Sequence, residues 1–181
     1  EFEKGYFPVI LTPYYPNGTL YSAIFQPKEN WTDTKKLINI YGIASGMAFL
    51  HKYDILHRDL NPKNILLDDN LYPKISDFGL SKNIFSVSEA DIKGTWGYIA
   101  PEAVNNLIYN KQSDVYSYSI IVYEIITGKN LFKNCSHLGL QFYTQKKRPV
   151  IDSNVPQAYS NLIQMSWNED FEKRPTFEQI V

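Results

Sequence analysis

Two short motifs constrain this chain more than any other feature of its sequence. Residues 57–64 read His-Arg-Asp-Leu-Asn-Pro-Lys-Asn, and Asp-Phe-Gly follows at residues 77–79. The motifs place three oxygen-bearing side chains, Asp59, Asn64 and Asp77, around a short apolar strand. Phosphoryl transfer from a nucleotide needs such a set, because one carboxylate must orient the accepting hydroxyl while two oxygen ligands hold Mg²⁺. The spacing therefore predicts a magnesium-dependent phosphotransfer site.

The length and composition fit one globular domain. The chain has 181 residues, of which 44% are hydrophobic and 20% charged. Its net charge of −1 gives no support for nucleic acid or an anionic membrane as the main partner. The single cysteine, Cys135, excludes an intramolecular disulfide and fits a reducing compartment. We expect a cytoplasmic protein without a membrane segment in this chain; attachment to a membrane through other segments stays open.

The hydrophobic pattern predicts an α+β fold that is mainly helical. Apolar residues at spacings of three and four predict an amphipathic helix capped by Thr32 or Asp33, with Leu37 and Tyr41 on its apolar face. A second helix, apolar on most faces, should end at Gly128. The predicted helices span residues 31–50, 113–127, 138–147 and 159–167, and the predicted strands span 6–12, 65–67 and 72–75. His51 and His137 have no partner at metal-ligand spacing and are interpreted as surface or packing residues.

The first two motifs resemble the catalytic loop and the magnesium loop of eukaryotic protein kinases. Residues 94–102, Gly-Thr-Trp-Gly-Tyr-Ile-Ala-Pro-Glu, resemble the end of the kinase activation segment. By this resemblance Glu102 is buried and forms a salt bridge with Arg174, and Asp114 holds the backbone of the catalytic loop. Other phosphotransferases carry a related loop without this later set. The resemblance thus implies a protein-kinase-like fold, here mainly the helical C-terminal lobe with the hinge strand and short β-hairpins.

The resemblance also implies roles for the loop residues. Asp59 would orient the substrate hydroxyl, and Asn64 and Asp77 would hold Mg²⁺. Lys63 would stabilise the charge of the transferred phosphate. Arg58 would engage a negative charge on the activation segment. Two further residues, His57 and Phe78, are interpreted as packing elements that hold the magnesium loop.

Further residues are implied in binding ATP and the protein substrate. Residues 10–20 resemble the kinase hinge, with Thr12 as the gatekeeper and the backbone of Pro13 and Tyr15 facing the adenine. Leu66 would form the floor of the adenine pocket, and Asp77 would reach the phosphates through the metal. On the substrate side, a platform would be shaped by Gly94 and Thr95.

The resemblance covers the hinge and the C-terminal lobe across residues 1–181, and it stops there. No glycine-rich loop, no Val-Ala-x-Lys and no helix Glu for that Lys is present, so the segment that carries them is expected before Glu1. We interpret the chain as a partial kinase domain within a longer protein. The isolated fragment should be inactive, because the phosphates would be held from one side only.

The specificity features are mixed. Serine/threonine kinases usually have Lys two residues after the catalytic Asp, where this chain has Asn61; the basic residue here is Lys63. The stretch from Gly94 to Tyr98 is of the serine/threonine type. We expect a Ser/Thr kinase of the tyrosine-kinase-like group, and transfer to Tyr stays open. Two rivals also stay open: a pseudokinase or scaffold, and a small-molecule phosphotransferase.

The activation segment suggests one regulatory hypothesis. The usual phosphosite lies three residues before the Gly-Thr, and Asp91 stands there with Glu89 nearby. Arg58 and Lys82 match the basic residues that would receive the phosphate. Asp91 is therefore expected to replace part of the phosphate charge. A solvated Asp91, with Ser86 or Ser88 as the phosphosite, is the alternative.

Overall fold

A computed structural model describes residues 11–86, 93–131, 146 and 148–181. Helix α2 spans Asp33–Lys52 and, with 20 residues, is the longest of the described helices. Thr32 caps this helix by accepting a hydrogen bond from the Lys35 amide, and Asp33 lies in the first turn, where a carboxylate favours the helix dipole. The predicted helix and its Thr32 cap are confirmed.

The face that α2 buries differs in part from the prediction. Ile43 and Met47 are fully buried, whereas Leu37 and Tyr41 are 50% and 55% exposed. The helix packs closely on the neighbouring strand on another side, where a Cβ atom added at Gly42 would lie 2.6 Å from the Pro73 side chain. Assigning Leu37 and Tyr41 to the buried face was wrong, because hydrophobicity alone does not show which side of the helix the core occupies.

Helix α4, Lys111–Thr127, lies at the centre of the described core. Thirteen of its residues, from Ser113 to Ile125, are buried. A capping box formed by Asn110 and Ser113 begins the helix, and Gly128 ends it in the left-handed conformation with φ of 66°. The prediction of a helix surrounded by protein and stopped at Gly128 is confirmed.

The strands are short and pair in two antiparallel ribbons. β2, Ile65–Leu67, pairs with β3, Pro73–Ile75, and the Asp68 carboxylate closes the turn between them by accepting from two backbone amides. This hairpin was predicted. The second ribbon pairs β1, Ile55–Leu56, with β4, Lys82–Asn83. It was not predicted, because two-residue strands carry no hydrophobic period.

The remaining described helices are short. They are α1 Leu20–Phe25, α3 Pro101–Asn106, α5 Gln157–Ser166 and α6 Phe177–Ile180, with 3₁₀ turns at Pro62–Asn64, Phe78–Leu80, Ile84–Ser86 and Phe171–Lys173. α5 confirms the helix predicted at 159–167, whereas α1 was missed. The predicted helix at 138–147 lies almost wholly outside the described residues, as do Cys135, His137 and most of the strand at 6–12. Among the residues described, no helix is long and apolar enough to cross a membrane.

Candidate active site

The loop that carries Asp59 is held from below by a carboxylate on α4. Asp114 is 2% exposed, and its Oδ2 and Oδ1 atoms accept hydrogen bonds from the backbone amides of His57 (2.9 Å) and Arg58 (3.0 Å). Arg58 has a φ of 69°, a left-handed conformation that costs energy for a side chain of this size. The two bonds to Asp114 stabilise this turn. They are the contact with the loop backbone that the resemblance implied for Asp114.

A third donor to Asp114 was missed by the sequence analysis. His51 is buried at the end of α2, and its Nε2 lies 2.9 Å from Asp114 Oδ2. The ring also packs edge-on against Phe177 of α6, with 5.1 Å between ring centroids. His51 therefore joins α2 and α6 to the support of the loop. Its spacing in the chain gave no signal, since the contact crosses 63 residues.

The Asp59 carboxylate is fixed by donors from three residues. Its Oδ1 accepts from the amide and hydroxyl of Thr95, at 2.8 and 2.7 Å, and from Asn61 Nδ2 at 3.1 Å. Its Oδ2 accepts from Asn64 Nδ2 at 2.8 Å. Hydrogen bonds to an ionised acceptor are stronger than neutral ones, so this set orients the carboxylate firmly. The structure thus brings Thr95 onto the loop of Asp59 and Asn64, although Thr95 lies 36 residues after Asp59 in the sequence.

Asn61 connects several members of this hydrogen-bonded set. It is 2% exposed, and its amide nitrogen lies within hydrogen-bond distance of both Asp59 and Thr95 Oγ1, at 3.1 Å in each case. Its Oδ1 accepts from the Lys63 amide and so begins the 3₁₀ turn Pro62–Asn64. A neutral amide thus connects the catalytic loop to the segment at 94–95.

Asn64 and Asp77 have the chemistry expected of magnesium ligands. The Asn64 amide nitrogen is taken up by Asp59 O and Oδ2, which leaves the amide oxygen for a cation. Asp77 is exposed in a left-handed conformation (φ 61°), and its Oδ1 accepts from the Gly79 amide at 3.3 Å. In the described part of the chain, no group of three or more His, Cys, Asp or Glu side chains is arranged to hold a metal ion by itself. A metal would therefore combine Asn64 and Asp77 with oxygens of a nucleotide and water.

His57 and Phe78 make the predicted packing contact. Their ring centroids lie 5.4 Å apart, and the His57 Nε2 lies 3.0 Å from the Ser76 carbonyl oxygen. His57 is fully buried while Phe78 is 48% exposed. The pair therefore connects the catalytic loop to the loop that carries Asp77.

The residues expected near the nucleotide are exposed or half-buried. Thr12 and Pro13 are exposed, and Tyr15 is half-buried. Leu66, also half-buried, forms an isolated antiparallel bridge with Thr19, which brings the end of the expected hinge segment onto β2. The roles of these residues toward adenine stay predictions.

Arg58 and Lys63, both in the catalytic loop, differ in burial and in the rings that they contact. The Arg58 guanidinium is buried over the ring of Tyr109, 4.4 Å from its centroid, and its Nε has no hydrogen-bond partner among the described residues. Lys63 is exposed, with its ammonium 5.4 Å from the ring centroid of Tyr21. Asp91, Glu89 and Ser88 lie outside the described residues, and Ser86 is described only in its backbone.

Gly94 sits where a side chain would not fit. Its φ is 125°, and an added Cβ would lie 2.7 Å from the Arg58 carbonyl oxygen. Glycine is the residue that tolerates both the conformation and the close approach. The segment of Gly94 and Thr95 is thereby pressed against the catalytic loop.

The predicted ion pair between Glu102 and Arg174 is confirmed. Arg174 Nη1 and Nη2 donate to Oε1 and Oε2 of Glu102 at 2.8 and 2.9 Å. Ser113 Oγ adds a third bond to Oε1 at 2.8 Å. Arg174 also donates to the backbone carbonyls of Gln112 and Asn168. The buried charges are therefore paired and hydrogen-bonded, as such charges must be.

A buried carboxylate behind the 94–98 segment was not foreseen. Glu124 of α4 is fully buried, and the Tyr98 hydroxyl donates to its Oε2 at 2.7 Å. Burial raises the pKa of Glu124 to about 7, although the bond from Tyr98 acts in the opposite direction. Burial likewise raises the pKa of Tyr98 well above its ordinary value, with the Glu124 charge as a further cause. In the sequence alone, Glu124 is only an acidic residue within an apolar helix.

The sequence of this chain is similar to those of known proteins. The family model described as protein tyrosine and serine/threonine kinase matches residues 3–181. The RGS domain-containing serine/threonine-protein kinase A of Dictyostelium discoideum is 35% identical over 182 residues, covering 100% of this chain and 16% of that protein. A putative serine/threonine-protein kinase/receptor, R831, of Acanthamoeba polyphaga mimivirus is 33% identical over 175 residues, covering 95% of this chain and 11% of that protein.

A plant relative adds a third case. The leucine-rich repeat receptor-like protein kinase PEPR1 of Arabidopsis thaliana is 43% identical over 130 residues, covering 67% of this chain and 12% of that protein. The chain thus spans less than a fifth of the length of each of these relatives. With the family match across nearly all its residues and its helix-rich fold with small antiparallel ribbons, this chain belongs to the protein tyrosine and serine/threonine kinase family.

Proposed function

We propose that the protein containing this chain transfers the γ-phosphate of ATP to serine or threonine residues of protein substrates. The observation that carries the proposal is the Asp59 carboxylate, held by the amide and hydroxyl of Thr95 on one oxygen and by Asn64 on the other. A carboxylate fixed in this way can receive or orient the proton of a substrate hydroxyl. Free rotation of the carboxylate would lose that orientation.

In this reaction the substrate hydroxyl oxygen bonds to the γ-phosphorus while the bond from the γ-phosphorus to the β–γ bridging oxygen breaks, and ADP leaves. Asp59 orients the hydroxyl and takes its proton. The Asn64 amide oxygen and the Asp77 carboxylate would hold Mg²⁺, which would supply positive charge to the phosphate oxygens. Lys63 adds positive charge beside the loop.

The nucleotide would enter on the side of residues 12–15 and β2. Pro13 offers a backbone carbonyl and Tyr15 its backbone groups to the adenine edge, Thr12 borders the site, and Leu66 lies beneath the ring. The half-buried position of Leu66 next to Thr19 supports this placement, since the bridge brings β2 and the connecting segment together.

Transfer to serine and threonine is favoured over transfer to tyrosine. The Thr95 hydroxyl lies 2.7 Å from Asp59 Oδ1, so a threonine at this position takes part directly in holding the catalytic carboxylate. Among the relatives, the Dictyostelium and mimivirus proteins are named as serine/threonine kinases. We also propose an intracellular location, where ATP and reduced cysteine are both present.

One experiment separates this proposal from its rivals. The full-length protein is incubated with Mg²⁺ and γ-labelled ATP, with a generic protein acceptor in one sample and an aminoglycoside or choline in another. Label on serine and threonine of the protein acceptor is expected. Label on the small molecule would favour a small-molecule phosphotransferase, and ATP binding without any transfer would favour a pseudokinase that acts as a scaffold.

A further inference from the structure

A cavity of about 310 Å³ opens directly beside the catalytic loop. Its wall includes Asn61 and Thr95, two of the residues that bind the Asp59 carboxylate. Trp96, next to Thr95, forms another part of the wall, and Tyr21 and Asn130 contribute from two other segments of the chain. A side chain that enters this cavity would therefore belong to the molecule whose hydroxyl meets Asp59, at a position close to that hydroxyl.

The cavity has one formal charge among its described lining residues, and it is positive. Lys63 is exposed at its edge, and its ammonium lies 5.4 Å from the ring centroid of Tyr21. Two carboxylates lie behind the wall. That of Asp59 accepts hydrogen bonds from the wall residues Asn61 and Thr95, and that of Glu124 is buried and accepts from the Tyr98 hydroxyl. An occupant of the cavity therefore meets a cation and aromatic surface, with no exposed carboxylate to oppose a negative charge among the described lining residues.

The aromatic wall also restrains the lysine. The Tyr21 hydroxyl accepts a hydrogen bond from Asn130 Nδ2 at 3.2 Å, and its ring packs edge-on against Phe25 at 4.8 Å. A ring fixed in this way attracts the ammonium through the cation–π interaction. Because Lys63 is held near the cavity, less side-chain freedom is lost when a carboxylate binds to it.

We propose that this cavity binds an aspartate or glutamate side chain of the protein substrate, and that Lys63 selects it. The inference rests on the proposed function for its choice of occupant, a segment that carries the acceptor hydroxyl. Lys63 follows Asp59 by four residues, so the distance between them is at most that of four extended residues. An extended substrate peptide, which advances about 3.3 Å per residue, spans that distance in roughly four residues. The acidic residue therefore lies within roughly four positions of the acceptor. The preference is a property of the substrate site, separate from any effect of Lys63 on the phosphate.

The test measures peptide binding, which does not require turnover. Peptides with alanine in place of the acceptor carry Glu, Gln or Lys at each of the four positions on either side, and their affinity for the full-length protein is determined by fluorescence anisotropy. At one or more positions, Glu should bind roughly two- to fivefold more tightly than Gln, as expected for a largely exposed ion pair. Raising the salt concentration should reduce that ratio.

Variants at Lys63 decide the assignment. Lys63→Met should remove the ratio between the Glu and Gln peptides, and Lys63→Glu should invert it in favour of the Lys peptide. Lys28→Glu changes the net charge equally at an exposed residue that lines a different cavity, and should leave the ratio as in the parent. An acidic preference that persists in Lys63→Glu, or no preference in the parent, overturns the inference.

Failure of the proposed function has a different signature. If the acidic preference is present and depends on Lys63 while the matching serine peptides receive no phosphate, the cavity binds acidic segments without catalysis. If the serine peptides are phosphorylated but Glu, Gln and Lys versions bind equally, the kinase function stands and the role of Lys63 in selection is rejected.

Discussion

Arg174 and Glu102, 72 residues apart in sequence, form a two-pronged ion pair with both distances below 3 Å. Both side chains are almost completely buried, and the pair connects the segment before α6 to α3. Neither charge could remain there alone, because an unpaired buried ion is strongly unfavourable. The contact is therefore specific to this fold.

Removing the arginine should destabilise the domain severely. Arg174→Ala leaves the Glu102 carboxylate with Ser113 as its one side-chain donor among the described contacts, and we expect a loss of roughly 3–5 kcal/mol in unfolding free energy. Arg174→Lys keeps the charge but not the paired geometry, and should lose less. Chemical unfolding of the full-length protein, followed by tryptophan fluorescence, measures both. A loss below about 1 kcal/mol for the alanine variant would place the pair among ordinary surface contacts.

The support under the catalytic loop makes a second prediction. Asp114→Asn sets an amide N–H against at least one of the donors from His51, His57 and Arg58, in a site with little access to water. The loop should shift, and kcat should fall by roughly 100-fold, since small displacements of catalytic groups are costly. Steady-state kinetics of the full-length protein test this prediction.

Asp54→Asn is the matched control for Asp114. Asp54 forms its ion pair with Lys111 at a half-exposed position, 2.7 Å between the charged atoms. Its loss should change kcat by less than about twofold. Equal effects of the two variants would mean that Asp114 does not position the loop.

The catalytic motifs and the ion pair were predictable because each depends on particular polar side chains. Few other residue types could perform the same chemistry or pair the same buried charge. Asp59 and Asn64 are five residues apart, so a short loop brings them together. The contact from Glu102 to Arg174 could be predicted only through resemblance to a family, since no local rule connects them.

Other features depend on tertiary packing. The bond between His51 and Asp114 and the burial of Glu124 against Tyr98 arise where helices meet, and neither follows from periodicity. The exposure of Leu37 was mispredicted for the same reason: an apolar residue can lie on either side of the boundary of a helix face. Core position, unlike helix position, is decided by the neighbouring elements.

Glu124 should make the stability of the protein depend on pH. Burial of the charged form raises the pKa of Glu124 from its ordinary value of 4.5 to about 7 in the folded protein. The folded protein thus holds this proton more tightly than the unfolded chain does. The contribution to stability is full below about pH 4.5 and is lost as the pH rises through 7, by about 3 kcal/mol in all.

The variant Glu124→Gln isolates this contribution. The difference in unfolding free energy between parent and variant should shift by that amount from pH 4.5 to pH 8, with the parent losing stability relative to the variant. Denaturant unfolding at several pH values measures it. Parallel pH curves for the two proteins would show that Glu124 titrates alike in the folded and unfolded states.

Asp91 is proposed to supply a negative charge for Arg58. The Arg58 guanidinium is buried beside Tyr109, and its Nε has no partner among the described residues, which supports the need for an anion. Asp91→Ala should lower kcat of the unphosphorylated full-length protein several-fold, and Asp91→Glu should retain it, with the effect limited because a carboxylate has less charge than a phosphate. Equal rates for the alanine variant and the parent, with phosphorylation of both excluded by mass spectrometry, would reject this role.

The central claim is that Asp59 serves phosphoryl transfer, and the most direct measurement is single-turnover transfer from labelled ATP by the full-length Asp59→Asn variant. The asparagine can still accept from Thr95, but it loses the negative charge and faces the Asn64 amide with an N–H group. Transfer should fall by at least about 100-fold, while ATP affinity changes less than about twofold and thermal unfolding shows a folded domain. Transfer at more than about a tenth of the parent rate would contradict the account, because a general base cannot act without its carboxylate.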